Sequence, residues 1–224
     1  LDVYADVATD LAGNNNTAAT QFEFDYDGTK PTPTLNGSLV VNGNGSRTND
    51  NPIIVQILFD EVVTGFDNAQ TDIQVTNGVA TNLSGAGTTY TVEIIPDADG
   101  LVSVTVPADV CVDDPHGNLN NAAATAFEIT YDGTAPTLAL TSTLLSSGDW
   151  TNATSIPMVA TFSEDVDGFV AGDIAVTNGS VSAFGGSGMV YTFNITGMVE
   201  GTDTEIRIDA ATAQDLADND SEQA

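Results

Sequence analysis

The sequence predicts an all-β protein built as a tandem array of two-sheet sandwiches, and three observations predict it. Stretches of alternating apolar and polar residues rich in Val, Ile, Thr, Phe and Tyr run through the chain. Clusters of Gly, Asn, Asp and Pro punctuate them at short, even intervals. The whole pattern then repeats with a period of about 100 residues, the size of one sandwich module.

The elements follow in order. Strands are expected near residues 34–41, 52–59, 71–76, 79–84, 88–95, 101–107 and 124–131. Ile53-Ile54-Val55-Gln56-Ile57-Leu58-Phe59 is almost continuously apolar and reads as a central, buried strand. Asn77-Gly78 and Asn178-Gly179 are turn signals. Gly85-Ala86-Gly87 and Gly185-Gly186-Ser187-Gly188 mark a further hairpin in each repeat. One short helical turn is expected at 109–115 and another at 212–218. Seven short strands at this spacing predict an immunoglobulin-like β-sandwich.

Four repeated segments fix the period. Phe24-Asp25-Tyr26-Asp27-Gly28-Thr29-Lys30-Pro31-Thr32 recurs as Ile129-Thr130-Tyr131-Asp132-Gly133-Thr134-Ala135-Pro136-Thr137, 105 residues on from Tyr26 to Tyr131. Phe59-Asp60-Glu61 through Phe66 recurs as Phe162-Ser163-Glu164 through Phe169. Asp72-Ile73-Gln74-Val75-Thr76-Asn77-Gly78 recurs as Asp173-Ile174-Ala175-Val176-Thr177-Asn178-Gly179. Asp10-Leu11-Ala12-Gly13-Asn14 matches Asp114-Pro115-His116-Gly117-Asn118 and Asp215-Leu216-Ala217-Asp218-Asn219. The predicted organisation is therefore residues 1–29 as the last two strands of one module, 30–134 as a complete module, and 135–224 as a module without its last strand. The linkers carry proline and no Gly/Ser tract, so a semi-rigid rod is expected.

Composition narrows the function. Three Lys+Arg face 32 Asp+Glu, for a formal charge of -29. Nucleic acid is excluded as a partner, because phosphate neutralisation needs cations. No apolar run is long enough for membrane insertion. The acids are 24 Asp and 8 Glu, a short side chain suited to turns and to hard cations. Cys111 is the one cysteine, so no intrachain disulfide can form. It sits between Val110 and Val112 and reads as a small hydrophobe. His116 is the one histidine and has no ligand company for zinc. No nucleophile, phosphate-loop or metalloprotease motif occurs, so a non-enzymatic role is expected.

In this order the repeated segments resemble the bacterial Ig-like tandem repeats of large cell-surface proteins and adhesins. The likeness rests on Tyr131 to Thr137, Phe162 to Phe169, Asp173 to Gly179 and Asp10 to Asn16. It implies an extracellular, non-catalytic module, with calcium at module junctions as in some related surface repeats. Asp114-Pro115-His116-Gly117 and Asp218 depart from the Asp-Leu-Ala-Gly form of the loop.

Three groups of residues offer calcium ligands. The loop between the last two strands holds Asp10, Asn14 and Asn16; Asp113, Asp114, Asn118 and Asn120; and Asp215, Asp218, Asn219 and Asp220. The turn after the central strand holds Asp60 and Glu61, then Glu164, Asp165 and Asp167. The junction holds Asp25, Asp27 and Asp132. These loops share one end of a sandwich, so the groups can meet at a module boundary. The same Asp and Asn also serve turns through side-chain to backbone hydrogen bonds. None has the spacing of an EF-hand.

The expected function is a calcium-stiffened stalk, adhesin or fibre segment whose partners are adjacent modules. Two alternatives stand beside it. One is a self-assembling sheath or surface-layer subunit, in which Ala19 to Asp27 of one copy is donated to another; the competing and favoured expectation there is that the chain is a segment of a longer polypeptide in which the missing strand follows. The other is a carbohydrate-binding module that stacks a glycan on Trp150; for that residue, packing against a neighbouring module is the competing expectation.

Overall fold

The computed structural model describes residues 2–37, 45–114, 117 and 125–224. Within them two β-sandwiches follow one another, each with its own core.

The first sandwich has a sheet of β1 (Pro33–Gly37), β3 (Ile53–Thr64) and β5 (Gly78–Pro96) in that order, with β7 (Val112–Asp113) paired to β3. Facing it is a sheet ordered β2 (Arg47–Thr48), β8 (Phe127–Tyr131), β6 (Gly100–Thr105), β4 (Gln74–Thr76). The second sandwich repeats the plan. β9 (Leu138–Ser142), β10 (Ser155–Asp167), β12 (Ser180–Thr196) and β14 (Gln214–Asp215) form one sheet, and β11 (Ile174–Val176) pairs with β13 (Ile206–Ile208).

β3 is central, between β1 and β5. Its pleat puts Ile53, Val55, Ile57 and Phe59 in the core and leaves Ile54, Gln56 and Leu58 half-covered, as period two requires. A straight strand of β5's length would span about 60 Å. It doubles back instead: the Thr81 hydroxyl donates to the Glu93 carbonyl at 3.3 Å, and the Ser84 and Thr91 hydroxyls are 3.0 Å apart. The turn falls at Gly85, whose φ of 134° and close approach to Thr89 and Tyr90 leave no room for a Cβ. The two strands read at 79–84 and 88–95 are the arms of this hairpin.

Several expectations are corrected. β3 runs past Phe59 to Thr64, because the acidic run is a bulge inside the strand rather than its end. The strand read at 71–76 shrinks to β4, preceded by a helical turn, α1 (Ala69–Asp72). Asn68 caps that turn by accepting from Gln70 N at 3.1 Å, and the Asp72 carboxylate accepts from Asp67 N and Asn68 N. The helical turns read at 109–115 and 212–218 are absent from the described residues there; β7 and β14 occupy those stretches, pairing with β3 and β10. Residues 38–41 of the first predicted strand lie outside the described residues.

Residues 2–29 make one isolated bridge, Thr9 to Asn15, and no strand. They are almost wholly exposed, so the two strands read there have no sheet to join. Their loop nevertheless ties the same knot as the end of the second sandwich. Asp6 N donates to Asn16 O and Asn16 N to Ala8 O, as Ala211 N does to Ser221 O and Ser221 N to Ala213 O.

Candidate metal centres

A large bulge of the central strand builds each site. Between Leu58 and Val63 the register of β3 against β5 slips, and between Thr161 and Val166 that of β10 against β12 slips in the same way. An aromatic trio supports each bulge. Phe66 packs edge-on against Phe59 and Tyr90, at 5.3 and 5.0 Å between centroids. Phe169 does the same with Phe162 and Tyr191, at 5.3 and 5.1 Å. The Tyr90 hydroxyl then donates to Val63 O at 3.3 Å, and that of Tyr191 to Val166 O at 3.2 Å. The bulge presents Glu61 in the first module and Glu164 in the second. Strand β7 sets Asp113 opposite Val63, and β14 sets Asp215 opposite Val166. The linker before β1 brings Asp27, and the linker before β9 brings Asp132.

The outcome is two equivalent clusters, Asp27–Glu61–Asp113 and Asp132–Glu164–Asp215. In each, one carboxylate oxygen per residue lies within 4.8 Å of the others. The loop aspartate is buried and the other two are half-buried. Two acidic clusters of this kind could hold a metal ion. Their donors are all carboxylate oxygens, a set that suits a hard cation, with none of the Cys or His that structural zinc sites use. Burial raises the pKa of Glu164, and the charges of Asp132, Asp215 and Asp99 raise it further; Arg47 opposes them.

The second cluster lies where the two sandwiches meet. Arg47 of the first lines a small cleft with Asp132, Glu164, Asp165 and Leu216. Asp132 N donates to Thr48 O at 3.0 Å. Asp99 accepts from Gly133 N at 2.7 Å and from the Thr134 hydroxyl, which hold its carboxyl below the ordinary value. Asn219 donates to Asp132 O at 2.8 Å and accepts from Asn49 Nδ2 at 3.1 Å.

The remaining predicted residues sit elsewhere. Asp60 accepts from Thr32 N at 2.7 Å and fixes the start of β1; Ser163 does this for Thr137 in the second module. Asp25 is exposed in the extended leading segment. Asp114 is exposed, and its N–H donates to Val62 O. By strand pairing it is Asp113, not the motif-matched Asp114, that corresponds to Asp215. Asp165 borders the second cluster, and Asp167 is exposed. Asn118, Asn120 and His116 lie outside the described residues.

Asp10 closes a loop with Asn14: it accepts from Ala12 N, Asn14 N and Asn14 Nδ2 at 2.8 to 2.9 Å. Those bonds, the side-chain amide of Asn14 first, lower its pKa. Asp215 makes the same three bonds with Ala217 and Asn219 while also belonging to its cluster. One aspartate therefore serves turn and cluster together.

Cys111 is buried in the first core, and burial pushes its thiol up to about 11. Trp150 is 98% exposed, so the packing expected of it is not seen among the described residues. Sequence reasoning passed over Asn49 and Asp99. Arg47, one of three cations in the chain, was the detectable signal.

No helix among the described residues is long and apolar enough to cross a membrane. A search of curated proteins finds no match. The bacterial Ig-like domain family model matches residues 27–131 and again 132–224, and the chain belongs to that family. Domains of this family usually occur in extracellular or surface proteins and are generally non-catalytic structural modules.

Proposed function

We propose that this bacterial Ig-like chain is a calcium-stiffened segment of a surface stalk or adhesin. The supporting observation is the recurrence of one three-carboxylate cluster at the start of both modules, the second against the end of the module before it. Three carboxylates, each mono- or bidentate, with water can supply the six to eight oxygens that calcium takes. Metal-free, the acids repel one another. A bound cation removes that repulsion and ties a linker aspartate, a strand-bulge glutamate and a loop aspartate into one unit. Because the linker aspartate belongs to the joint, binding restricts the angle between modules.

Titration calorimetry with calcium, together with melting and small-angle scattering in calcium and in chelator, tests this reading. Calcium should raise the melting temperature and straighten the particle. Unchanged melting and shape would sink it.

Trp150 fits the rod reading better than the glycan one. It precedes Thr151, whose hydroxyl accepts from Ala153 N at 3.1 Å; Arg47 precedes Thr48, whose hydroxyl accepts from Asp50 N at 3.0 Å. Trp150 thus holds in the second module the place from which Arg47 reaches the next joint. Its role on this reading is contact with an adjacent module.

A further inference from the structure

The two linkers carry the same Asp-Gly-Thr sequence and bond it differently. In Asp27-Gly28-Thr29 the bonds stay within the linker. The Thr29 hydroxyl donates to Asp27 Oδ1, and Thr29 N donates to the same oxygen at 2.9 Å. In Asp132-Gly133-Thr134 the hydroxyl donates instead to Asp99 Oδ2 of the first sandwich, and Gly133 N donates to Asp99 Oδ1 at 2.7 Å. The bond from Thr134 N to Asp132 Oδ1 is stretched to 3.3 Å. One threonine hydroxyl therefore has two acidic acceptors, one in its own linker and one across the joint.

Asp99 is held in place from within the first sandwich. Asn77, in the left-handed region at φ 58°, donates from Nδ2 to Ala98 O at 2.8 Å and accepts from Asp97 N at 3.4 Å through its own carbonyl. The linker is fastened at both ends. Asp132 N donates to Thr48 O of the first sandwich, while Pro136 O accepts from Glu222 N and Thr137 N donates to Ser163 Oγ in the second. What can turn is the short stretch between, Gly133 to Ala135, the usual size of a hinge.

We propose that Asp99 is a latch on this hinge, and that the joint exchanges between two states by moving one hydroxyl between two aspartates. In the closed state the Thr134 hydroxyl and Gly133 N sit on Asp99. In the open state the hydroxyl returns to Asp132, as that of Thr29 sits on Asp27. Two hydrogen bonds to a carboxylate favour closure. The charges of Asp99 and Glu164 repel one another across the closed joint and favour opening. The latch uses no metal, so it goes beyond the calcium reading: it sets the angle between modules before any ion binds.

The test places spin labels on the full chain at Gln74→Cys and Thr192→Cys, exposed positions in the two sandwiches; the native Cys111 is buried. In chelator, double electron–electron resonance should resolve two distances. Asp99→Ala should raise the open-to-closed ratio by at least about tenfold, the effect of losing hydrogen bonds to a charged group. Thr134→Val removes the hydroxyl from both states and should leave the ratio nearly unchanged. Thr134→Ser keeps the hydroxyl and should match the parent chain. A distance distribution that Asp99→Ala does not move overturns the proposal, and so does a shift in Thr134→Val as large as that in Asp99→Ala. Calcium added afterwards should favour the closed distance. Its failure to do so would count against the calcium reading alone, because the latch is read in chelator.

Discussion

Asn49 and Asn219 stand 170 residues apart in sequence and 3.1 Å apart in space, the amide of one donating to the carbonyl oxygen of the other. The same Asn219 amide donates to Asp132 O and to the Asp215 carboxylate. One half-buried side chain therefore joins the earlier module, the linker and a cluster aspartate.

Asn219→Ala should cost about 1–3 kcal/mol, the range for stranding half-buried hydrogen-bonding groups. For a module of this size that is a fall of roughly 4–8 °C per kcal/mol. The exposed counterpart Asn14→Ala should leave melting unchanged. Differential scanning calorimetry of both variants decides; equal effects would show that Asn219 acts within its own loop only.

Glu61→Gln and Glu164→Gln should each remove one calcium-dependent increment of stability. At a hundredfold excess over Kd an intact site contributes about 2.7 kcal/mol. The double variant should melt identically in calcium and chelator. A calcium response surviving in the double variant would place the ions elsewhere.

Proton linkage should separate Asp99 from Glu164 in chelator. The folded pKa of Asp99 is lowered by the Gly133 N–H and the Thr134 hydroxyl. Its stabilisation is therefore full above the ordinary value of 3.8 and lost as pH falls through the folded value. That of Glu164 is raised by burial and by neighbouring acids, so its contribution is full below 4.5 and lost as pH rises through the folded value. Asp99→Asn should lower melting at pH 7 and lose that effect in strong acid. Glu164→Gln should raise metal-free melting at pH 7 and have little effect near pH 4. The same sign for both variants at pH 7 would contradict the assignment.

Asp218 has φ +69° where Gly13 of the matching loop has +84°. Aspartate tolerates this left-handed backbone, and a β-branched residue does not. Asp218→Val should destabilise by about 1–2 kcal/mol, while Asp218→Gly should cost nothing. Chemical denaturation reads both; equal losses would mean that the side chain matters more than the backbone.

The fold was legible because burial and period agree along β3, and because the repeat gives every element a second witness. The bulge was not legible. Asp60 and Glu61 read as a turn, yet the aromatic trio beneath them keeps the chain in the sheet. That bulge also decides which acid turns inward, so the sequence brought the right loops to one end without separating Asp60, which accepts from Thr32 N, from Glu61 in its cluster. Asp113 was confounded with Asp114 because the first module's loop has one residue more between the aspartate and its glycine: Gly117 N donates to Asp113 O, while Gly13 N donates to Asp10 O. The contacts of Asn49 and Asp99 with the next module come from packing and leave no local pattern.

The knot of residues 6–16 keeps all its hydrogen bonds with no sandwich around it. Its copy at 211–221 should therefore be able to form before the strands that flank it. Loops of about ten residues close in roughly 10–100 ns, far ahead of long-range strand pairing. The knot then works as a folding seed, setting β14 against the bulge of β10 from the local side. In chevron kinetics Asn219→Ala should slow folding more than it speeds unfolding. The second module would then carry its own starting point and need not wait for distant strand pairing to begin folding.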